Sequence, residues 1–91
     1  MDINNIDELI DNLKLQIIQA LSLDDLHPED IDADTPLFGD GLGLDSIDAI
    51  ELVLLLKREY GIVLEDPRKR REVLVNLRTM AQFIQSQLKD K

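Results

Sequence analysis

The chain has 91 residues, enough for one domain with a single hydrophobic core. It contains no cysteine, which excludes disulfides and thiolate metal sites and leaves the polypeptide without a thiol of its own. The formal charge is −9, and residues 1–51 hold fourteen acidic side chains against one lysine. This balance argues against nucleic acid as the ligand and favours partners with basic surfaces, because polyphosphates are bound by neutralising them.

The first residues lack the basic start and continuous apolar stretch of a secretory signal. No segment approaches the roughly 20 apolar residues that span a bilayer. We therefore expect a cytoplasmic monomer, with no membrane association and with one domain over residues 1–91.

Apolar side chains at helical spacing predict a first helix. They fall at i, i+3, i+4 and i+7 and are Ile6, Leu9, Ile10, Leu13, Ile17, Ala20 and Leu21. Residues 23–45 then lose this periodicity and contain two prolines and three glycines, which predicts a long loop. Loops beyond about 12–15 residues are uncommon in compact domains unless they have a function. Four apolar side chains should attach this loop to the core, namely Leu26, Ile31, Leu37 and Phe38.

A second helix is predicted from Ser46 to Tyr60, ending at Gly61, because glycine adopts the left-handed conformation of a helix end. Asp45 or Ser46 would cap its start. Its apolar residues form two stripes, one of Leu52, Val53, Leu56 and Tyr60, the other of Ile47, Ile50 and Leu54. Either both stripes are core, or the second stays exposed as a docking patch for partner proteins; we favour the exposed patch.

The rest of the chain is less regular. Residues 62–64 and 73–77 are apolar runs that fit either short strands or a short helix. Thr79 is a candidate cap for a last helix, whose stripe is Met80, Phe83, Ile84 and Leu88. Three long helices, with room for a short one, predict an all-α fold, a small bundle.

Ser46 fits no catalytic pattern. A helix cap would by itself explain a serine there. A nucleophile elbow needs glycines two residues before and after the serine, where this chain has Leu44 and Asp48. The single histidine, His27, lies in the long loop and is expected to be solvated. Without a general base a serine hydroxyl is a weak nucleophile, so we expect no catalytic residue here.

Other motifs are equally incomplete. Gly39, Gly41 and Gly43 follow no strand and precede no Gly-Lys-Ser or Gly-Lys-Thr, which excludes a phosphate-binding loop. Asp32 and Asp34 resemble the start of a calcium loop, but proline and leucine occupy the next ligand position and the required glycine. We expect no metal site. The "RKRR" run at 68–71 could be a nucleic-acid or targeting patch, although a solvated basic edge suits so acidic a chain better.

A serine that another enzyme modifies fits the position better. The start of a helix offers free N–H groups and partial positive charge, which favour a phosphate ester there by about 0.3–1 kcal/mol. The upstream glycines would leave room for a modifying enzyme.

The segment "GLDSIDAIEL" at 43–52 resembles the D-S-[LI]-x-x-[VI]-E-L signature of acyl carrier proteins. The resemblance extends over nearly the whole chain, through the first helix, the "PEDIDADTPLF" loop, the serine at the head of the second helix and a closing helix with "LRTMAQFI". It implies a four-helix bundle whose short third helix lies within about 68–77. It also implies a stand-alone carrier, not an enzyme, with 4′-phosphopantetheine from coenzyme A, whose thiol replaces the missing cysteine.

The resemblance assigns roles to individual residues. Ser46 would carry the phosphopantetheine arm, with Asp45 as the flanking acid. Partner contacts would come from acidic Asp48 and Glu51 and from apolar Ile47, Ile50 and Leu54. Expected partners are a phosphopantetheinyl transferase and a ketosynthase, an acyltransferase and other fatty-acid or polyketide enzymes.

Two alternatives stay open at this point. An aminoacyl or peptidyl carrier would share the serine arm and differ in its cargo, whereas an acidic helical adaptor would bind partners through the second helix without a prosthetic group. The chain also departs from many acidic carriers, because Lys57 and Arg58 end the second helix and the basic run at 68–71 follows. That departure leaves the pathway undetermined.

Overall fold

The structure, a computed structural model, describes residues 4–89. Within this range it contains four α-helices, α1 (Ile6–Ala20), α2 (Ser46–Tyr60), α3 (Pro67–Val73) and α4 (Leu77–Lys89). A single 3₁₀ turn, Pro28–Asp30, lies in the long loop between α1 and α2. Residues 4–89 form no β-strand, so the predicted all-α bundle of three long helices and one short helix is confirmed.

The hydrophobic core lies between α1, α2 and α4. Helix α1 packs against both α2 and α4, and the short α3 packs on α4. The largest fully buried side chains on these helices are Leu9, Leu13, Ile17, Leu52, Leu55, Leu56, Leu77, Met80 and Ile84. Leu55 belongs to neither predicted stripe of α2, and Val53 of the first stripe is only partly buried. The buried face of α2 is thus rotated slightly from the predicted one.

The predicted second helix has the expected bounds because local chemistry sets both ends. Gly61 has a left-handed φ of 67°, and its N–H donates to the carbonyl oxygens of Leu56 and Lys57. This is the conformation that glycine adopts without the steric cost of a side chain.

The segment between α2 and α4 differs from the sequence prediction. Residues 62–64 are a connection without regular secondary structure, in which Ile62 and Leu64 are buried and Val63 is exposed. The run at 73–77 is neither a strand nor a helix of its own, because Val73 ends α3 and Leu77 begins α4. The short helix therefore starts one residue before the range that the family resemblance implied and ends four residues before its end.

Thr79 is not the cap of the last helix, as the sequence had suggested. Helix α4 begins at Leu77, and the side chain of Asn76 accepts a hydrogen bond from the Thr79 N–H at 2.8 Å. In return, the Thr79 hydroxyl accepts one from the Asn76 N–H at 3.1 Å. Asn76 is thus the capping residue, and Thr79 completes a reciprocal pair from the first turn.

The long loop is attached to the core as expected. Ile31 and Leu37 are buried, and Leu26 and Phe38 are partly buried against the same core. Backbone hydrogen bonds from the Leu37 N–H to the Val75 carbonyl oxygen, and from the Arg78 N–H to the Ala33 carbonyl oxygen, fasten it to the start of α4. In the described range, no helix combines the length and apolar character needed to cross a bilayer.

Candidate functional site

The chain approaches α2 through a tight turn. The Leu42 N–H donates to the Pro36 carbonyl oxygen at 3.0 Å, and the Leu44 N–H donates to the Leu37 carbonyl oxygen at 3.1 Å. A Cβ atom on Gly41 would overlap the Pro36 carbonyl oxygen, so this turn requires glycine at position 41. Since Leu44 is also buried, the start of α2 has a fixed position on the core.

Asp45 caps α2, which settles the choice between the two predicted capping residues. Its Oδ1 accepts hydrogen bonds from the N–H groups of Ile47 at 3.0 Å and Asp48 at 3.1 Å. The Asp48 carboxylate in turn accepts from the Asp45 N–H at 3.0 Å. This reciprocal pair fixes the first turn and favours helix formation directly at Ser46.

Ser46 is the first residue of α2 and is exposed, directly after the buried Leu44 and the exposed Asp45. Within residues 4–89 no protein group forms a hydrogen bond with its hydroxyl. Fewer backbone N–H groups are free at this helix start than predicted, because the Asp45 carboxylate accepts from Ile47 and Asp48 and the Asp48 carboxylate accepts from the Asp45 N–H. The Ser46 hydroxyl is therefore exposed to solvent at a helix start where most of the backbone N–H groups already donate to an acceptor.

The second apolar stripe of α2 is exposed. Ile47, Ile50 and Leu54 are 70, 56 and 47% exposed, and they follow one another at helical spacing after Ser46. The interpretation in which both stripes are core is wrong, because α1 packs against the opposite side of α2 and leaves this one uncovered. We call Ile47, Ile50 and Leu54 the α2 apolar surface.

Acidic groups border this surface. Asp48 and Glu51 are half-buried on the first two turns of α2, and Asp45 is exposed beside Ser46. The Asp48 carboxylate has one oxygen committed to the Asp45 N–H. Neither Asp48 nor Glu51 forms an ion pair in the described part of the chain, and Glu51, unlike Asp48, has no carboxylate oxygen committed to a backbone N–H there.

The residues considered for catalysis or metal binding do not assemble into a site. His27 is exposed at the start of the 3₁₀ turn. Asp32 accepts a hydrogen bond from the Asp34 N–H at 2.9 Å, and Asp34 is paired with Arg78. Residues 4–89 contain no group of three or more histidine, cysteine or acidic side chains placed to hold a metal ion.

Two structural contacts that help to hold the long loop and the start of α4 were not predicted from the sequence. The Val75 carbonyl that accepts from Leu37 is a backbone contact and has no signature in the side-chain sequence. Asn76, by contrast, had a signature, since asparagine is among the favoured residues at a helix N-cap. Leu77, which follows it, is fully buried as the first residue of α4.

Comparisons with known proteins agree with this geometry. The family model for the phosphopantetheine attachment site matches residues 16–68, more than half of the chain. This range contains the last third of α1, the long loop, the turn at 36–44 and all of α2, and together with the helical fold it defines a phosphopantetheine carrier domain. An acyl carrier protein from Campylobacter hominis is 29% identical over 84 residues, which cover 92% of this chain and 99% of that protein. The chain belongs to the acyl carrier protein family.

Membership of this family implies a covalently attached 4′-phosphopantetheine group. The structure fits that group, because Ser46 is exposed at the head of α2 and its hydroxyl has no hydrogen-bond partner among residues 4–89. The match to the phosphopantetheine-attachment family favours a carrier over an adaptor without a prosthetic group, and acyl carrier proteins are carriers rather than catalysts.

Proposed function

We propose that Ser46 is the attachment residue and that the chain carries acyl or polyketide-like intermediates between enzymes. The observation that carries this proposal is the exposed Ser46 hydroxyl, placed at the first position of α2 inside the "GLDSIDAIEL" segment. The bound arm supplies a thiol that holds an acyl group as a thioester. The protein itself positions the Ser46 hydroxyl, because the Asp45 cap and the turn at 36–44 hold the start of α2 at a fixed point of the surface.

The same residues support the proposed lack of catalytic activity. A serine nucleophile needs a base within hydrogen-bond reach, and the Ser46 hydroxyl has no such partner among residues 4–89. Chemistry at Ser46 would then be performed by a phosphopantetheinyl transferase, which transfers the arm from coenzyme A. The chain presents the acceptor oxygen and the surface around it.

Partner enzymes are proposed to dock on the α2 apolar surface and its acidic border. Three exposed aliphatic side chains beside Ser46 provide a small apolar contact, and Asp45, Asp48 and Glu51 attract basic groups around a tunnel mouth. Electrostatic steering of this kind gives fast association without requiring tight binding. It is suited to a carrier that must visit a transferase, a ketosynthase and an acyltransferase in turn.

Intact mass spectrometry tests the attachment residue. The full chain is incubated with coenzyme A and a phosphopantetheinyl transferase of broad specificity, and we expect a mass increase of one phosphopantetheinyl group. Ser46→Ala should show no increase. Ser86→Ala, which removes another exposed serine hydroxyl from a helix, should be modified like the wild type. Modification of Ser46→Ala, or none of the wild type, would contradict the proposal.

A second measurement addresses the cargo. The loaded protein is offered acyl groups by an acyltransferase and amino acids by an adenylating enzyme, and the covalent product is again read by mass. We expect acyl transfer, since the family relative is an acyl carrier protein. Transfer of amino acids alone would identify the chain as an aminoacyl carrier and leave the Ser46 attachment intact.

A further inference from the structure

The glycine-rich turn before α2 contains the only Asp-Gly sequence of the chain, at Asp40 and Gly41. In such a sequence the backbone nitrogen of the glycine can attack the carboxyl carbon of the aspartate side chain. The attack closes a five-membered ring, and glycine has no Cβ atom to hinder the close approach. This reactivity belongs to the polypeptide itself and requires only water.

The fold leaves both reacting groups free. Asp40 is exposed, and its carboxylate has no hydrogen-bond or ion-pair partner within residues 4–89. The Gly41 N–H has no acceptor in the same range, although the adjacent Leu42 N–H donates to the Pro36 carbonyl oxygen. Neither reacting group therefore has to give up a contact with the protein before the ring can form.

A second aspartate near this turn also precedes a small residue, but its carboxylate is held. Asp45 precedes Ser46, and its Oδ1 accepts hydrogen bonds from the N–H groups of Ile47 at 3.0 Å and Asp48 at 3.1 Å. Ring closure at Asp45 would remove the carboxylate that caps α2 and both of these hydrogen bonds. Asp45 is therefore an internal control for the effect of the fold on this reaction.

We propose that Asp40 isomerises spontaneously to isoaspartate, and that the modified chain no longer receives its arm efficiently. The Gly41 nitrogen forms a bond to Cγ of Asp40 and releases its proton, and a carboxyl oxygen leaves as water. Water then reopens the ring and returns a proton to the nitrogen. Attack at Cγ restores aspartate. Attack at the backbone carbonyl carbon of Asp40 breaks its bond to the nitrogen, so the chain continues through Cβ and Cγ with unchanged composition.

The turn has no space for the longer main chain of this product. Isoaspartate adds one backbone carbon, which lengthens the chain by about 1.5 Å. A Cβ atom on Gly41 would already overlap the Pro36 carbonyl oxygen, so the backbone at this position packs closely against it. The Leu42 N–H donates to the same oxygen at 3.0 Å, and we expect the added carbon to break this hydrogen bond.

The modified turn would displace Ser46, because this turn fixes the start of α2. A displacement of about 1 Å at a reacting group can lower a rate by about a hundredfold. The isomerisation itself does not depend on the carrier function, whereas its effect on loading rests on the proposed attachment at Ser46.

Peptide mapping tests the modification. The full chain is kept folded at neutral pH for several weeks and sampled at intervals, and each sample is digested with a protease that cleaves before aspartate. We expect a progressive loss of cleavage before Asp40 at unchanged total mass, while cleavage before Asp45 stays complete. Fragmentation by electron transfer then identifies isoaspartate in the uncleaved peptide.

A matched variant and a peptide serve as controls. Asp40→Glu keeps the charge but would require a larger ring, so no methyl group should be transferred to it by protein-isoaspartate methyltransferase. A synthetic peptide of residues 36–44 measures the reactivity without the fold. Isoaspartate in the peptide and none in the folded chain would show that the turn protects Asp40, and would overturn the proposal. Equally fast conversion of Asp45 would also overturn it.

Loading of the separated isoaspartate form measures the consequence. With coenzyme A and a phosphopantetheinyl transferase, we expect its initial rate of mass gain to be about a hundredfold below that of the fresh chain. Asp40→Glu stored for the same time should load like the fresh chain. Equal loading of the isoaspartate form would overturn the proposed effect on the arm. If the fresh chain is not loaded either, the carrier proposal fails, and the peptide map still decides the isomerisation.

Discussion

Arg78 of α4 donates a hydrogen bond from Nε to Oδ1 of Asp34 in the long loop at 2.6 Å. The two residues are 44 positions apart in the chain, and theirs is the shortest ion pair within residues 4–89. The adjacent backbone is joined as well, through the Arg78 N–H and the Ala33 carbonyl oxygen. The loop that leads to Ser46 is thus fastened to the last helix by both a side-chain and a backbone contact.

This ion pair predicts a specific dependence of stability on pH. The hydrogen bond from Arg78 lowers the pKa of Asp34 below its ordinary value of 3.8. The stabilisation is therefore fully present above that ordinary value and is lost as the pH falls through the lower value of the folded state. Asp34→Asn should reduce the free energy of unfolding at neutral pH, and the difference from wild type should shrink below about pH 4.

Urea unfolding of the two proteins from about pH 6 to about pH 3 measures this difference. Asp25→Asn, in an exposed residue of the same loop without an ion pair, serves as the control and should show little difference at any pH. A difference for Asp34→Asn that stays constant down to pH 3 would show that Arg78 does not shift the titration of Asp34.

Substitutions of two adjacent leucines of α2 distinguish an effect on stability from an effect on docking. Leu55 is fully buried, so Leu55→Ala should destabilise the protein by about 2–5 kcal/mol. Leu54 is 47% exposed on the α2 apolar surface, so Leu54→Ala should change stability by no more than about 0.5 kcal/mol while slowing transfer of the arm. Urea unfolding and the initial rate of mass gain measure the two effects. Normal loading of Leu54→Ala would remove this residue from the docking surface.

Asp45 combines a structural role with a proposed contact, and two substitutions distinguish them. Asp45→Ala removes the oxygen that accepts from Ile47 and Asp48 and should cost about 0.5–2 kcal/mol of stability. Asp45→Asn keeps an acceptor and loses the charge, so stability should be nearly unchanged and loading should slow. If Asp45→Asn loads at the wild-type rate, the residue acts only as the helix cap.

Glu51 is the best position for testing electrostatic docking. Glu51→Lys should leave the circular dichroism spectrum unchanged and lower kcat/KM for loading by about three- to tenfold, because it places a cation opposite a basic partner. The defect should diminish as salt rises, since exposed charges are screened. Glu29→Lys makes the same charge change in the 3₁₀ turn and should have a much smaller effect. Equal effects of the two variants would indicate a response to net charge alone.

Elements with local signals were predictable from the sequence alone. Gly61 ends α2 because its conformation favours glycine, and an acidic cap followed by a serine sets the start at Ser46. The motif around Ser46 likewise identified the family, because its residues are contiguous in the chain. The start of α4 was predicted at Thr79 because Asn76 and Thr79 are both residues of capping type, and only the hydrogen bond from the Thr79 N–H to the Asn76 side chain shows that Asn76 is the cap.

The sides of the helices that are covered depend on how the helices pack together, which the sequence did not show. Apolar periodicity was the same whether Ile47, Ile50 and Leu54 were core or surface, and only the packing of α1 on the other side of α2 left them exposed. The burial of Leu55 and the ion pair between Arg78 and Asp34 were not predictable for the same reason. Burial and long-range ion pairs depend on which distant segments pack together. The local patterns of a single sequence carry no information about that packing.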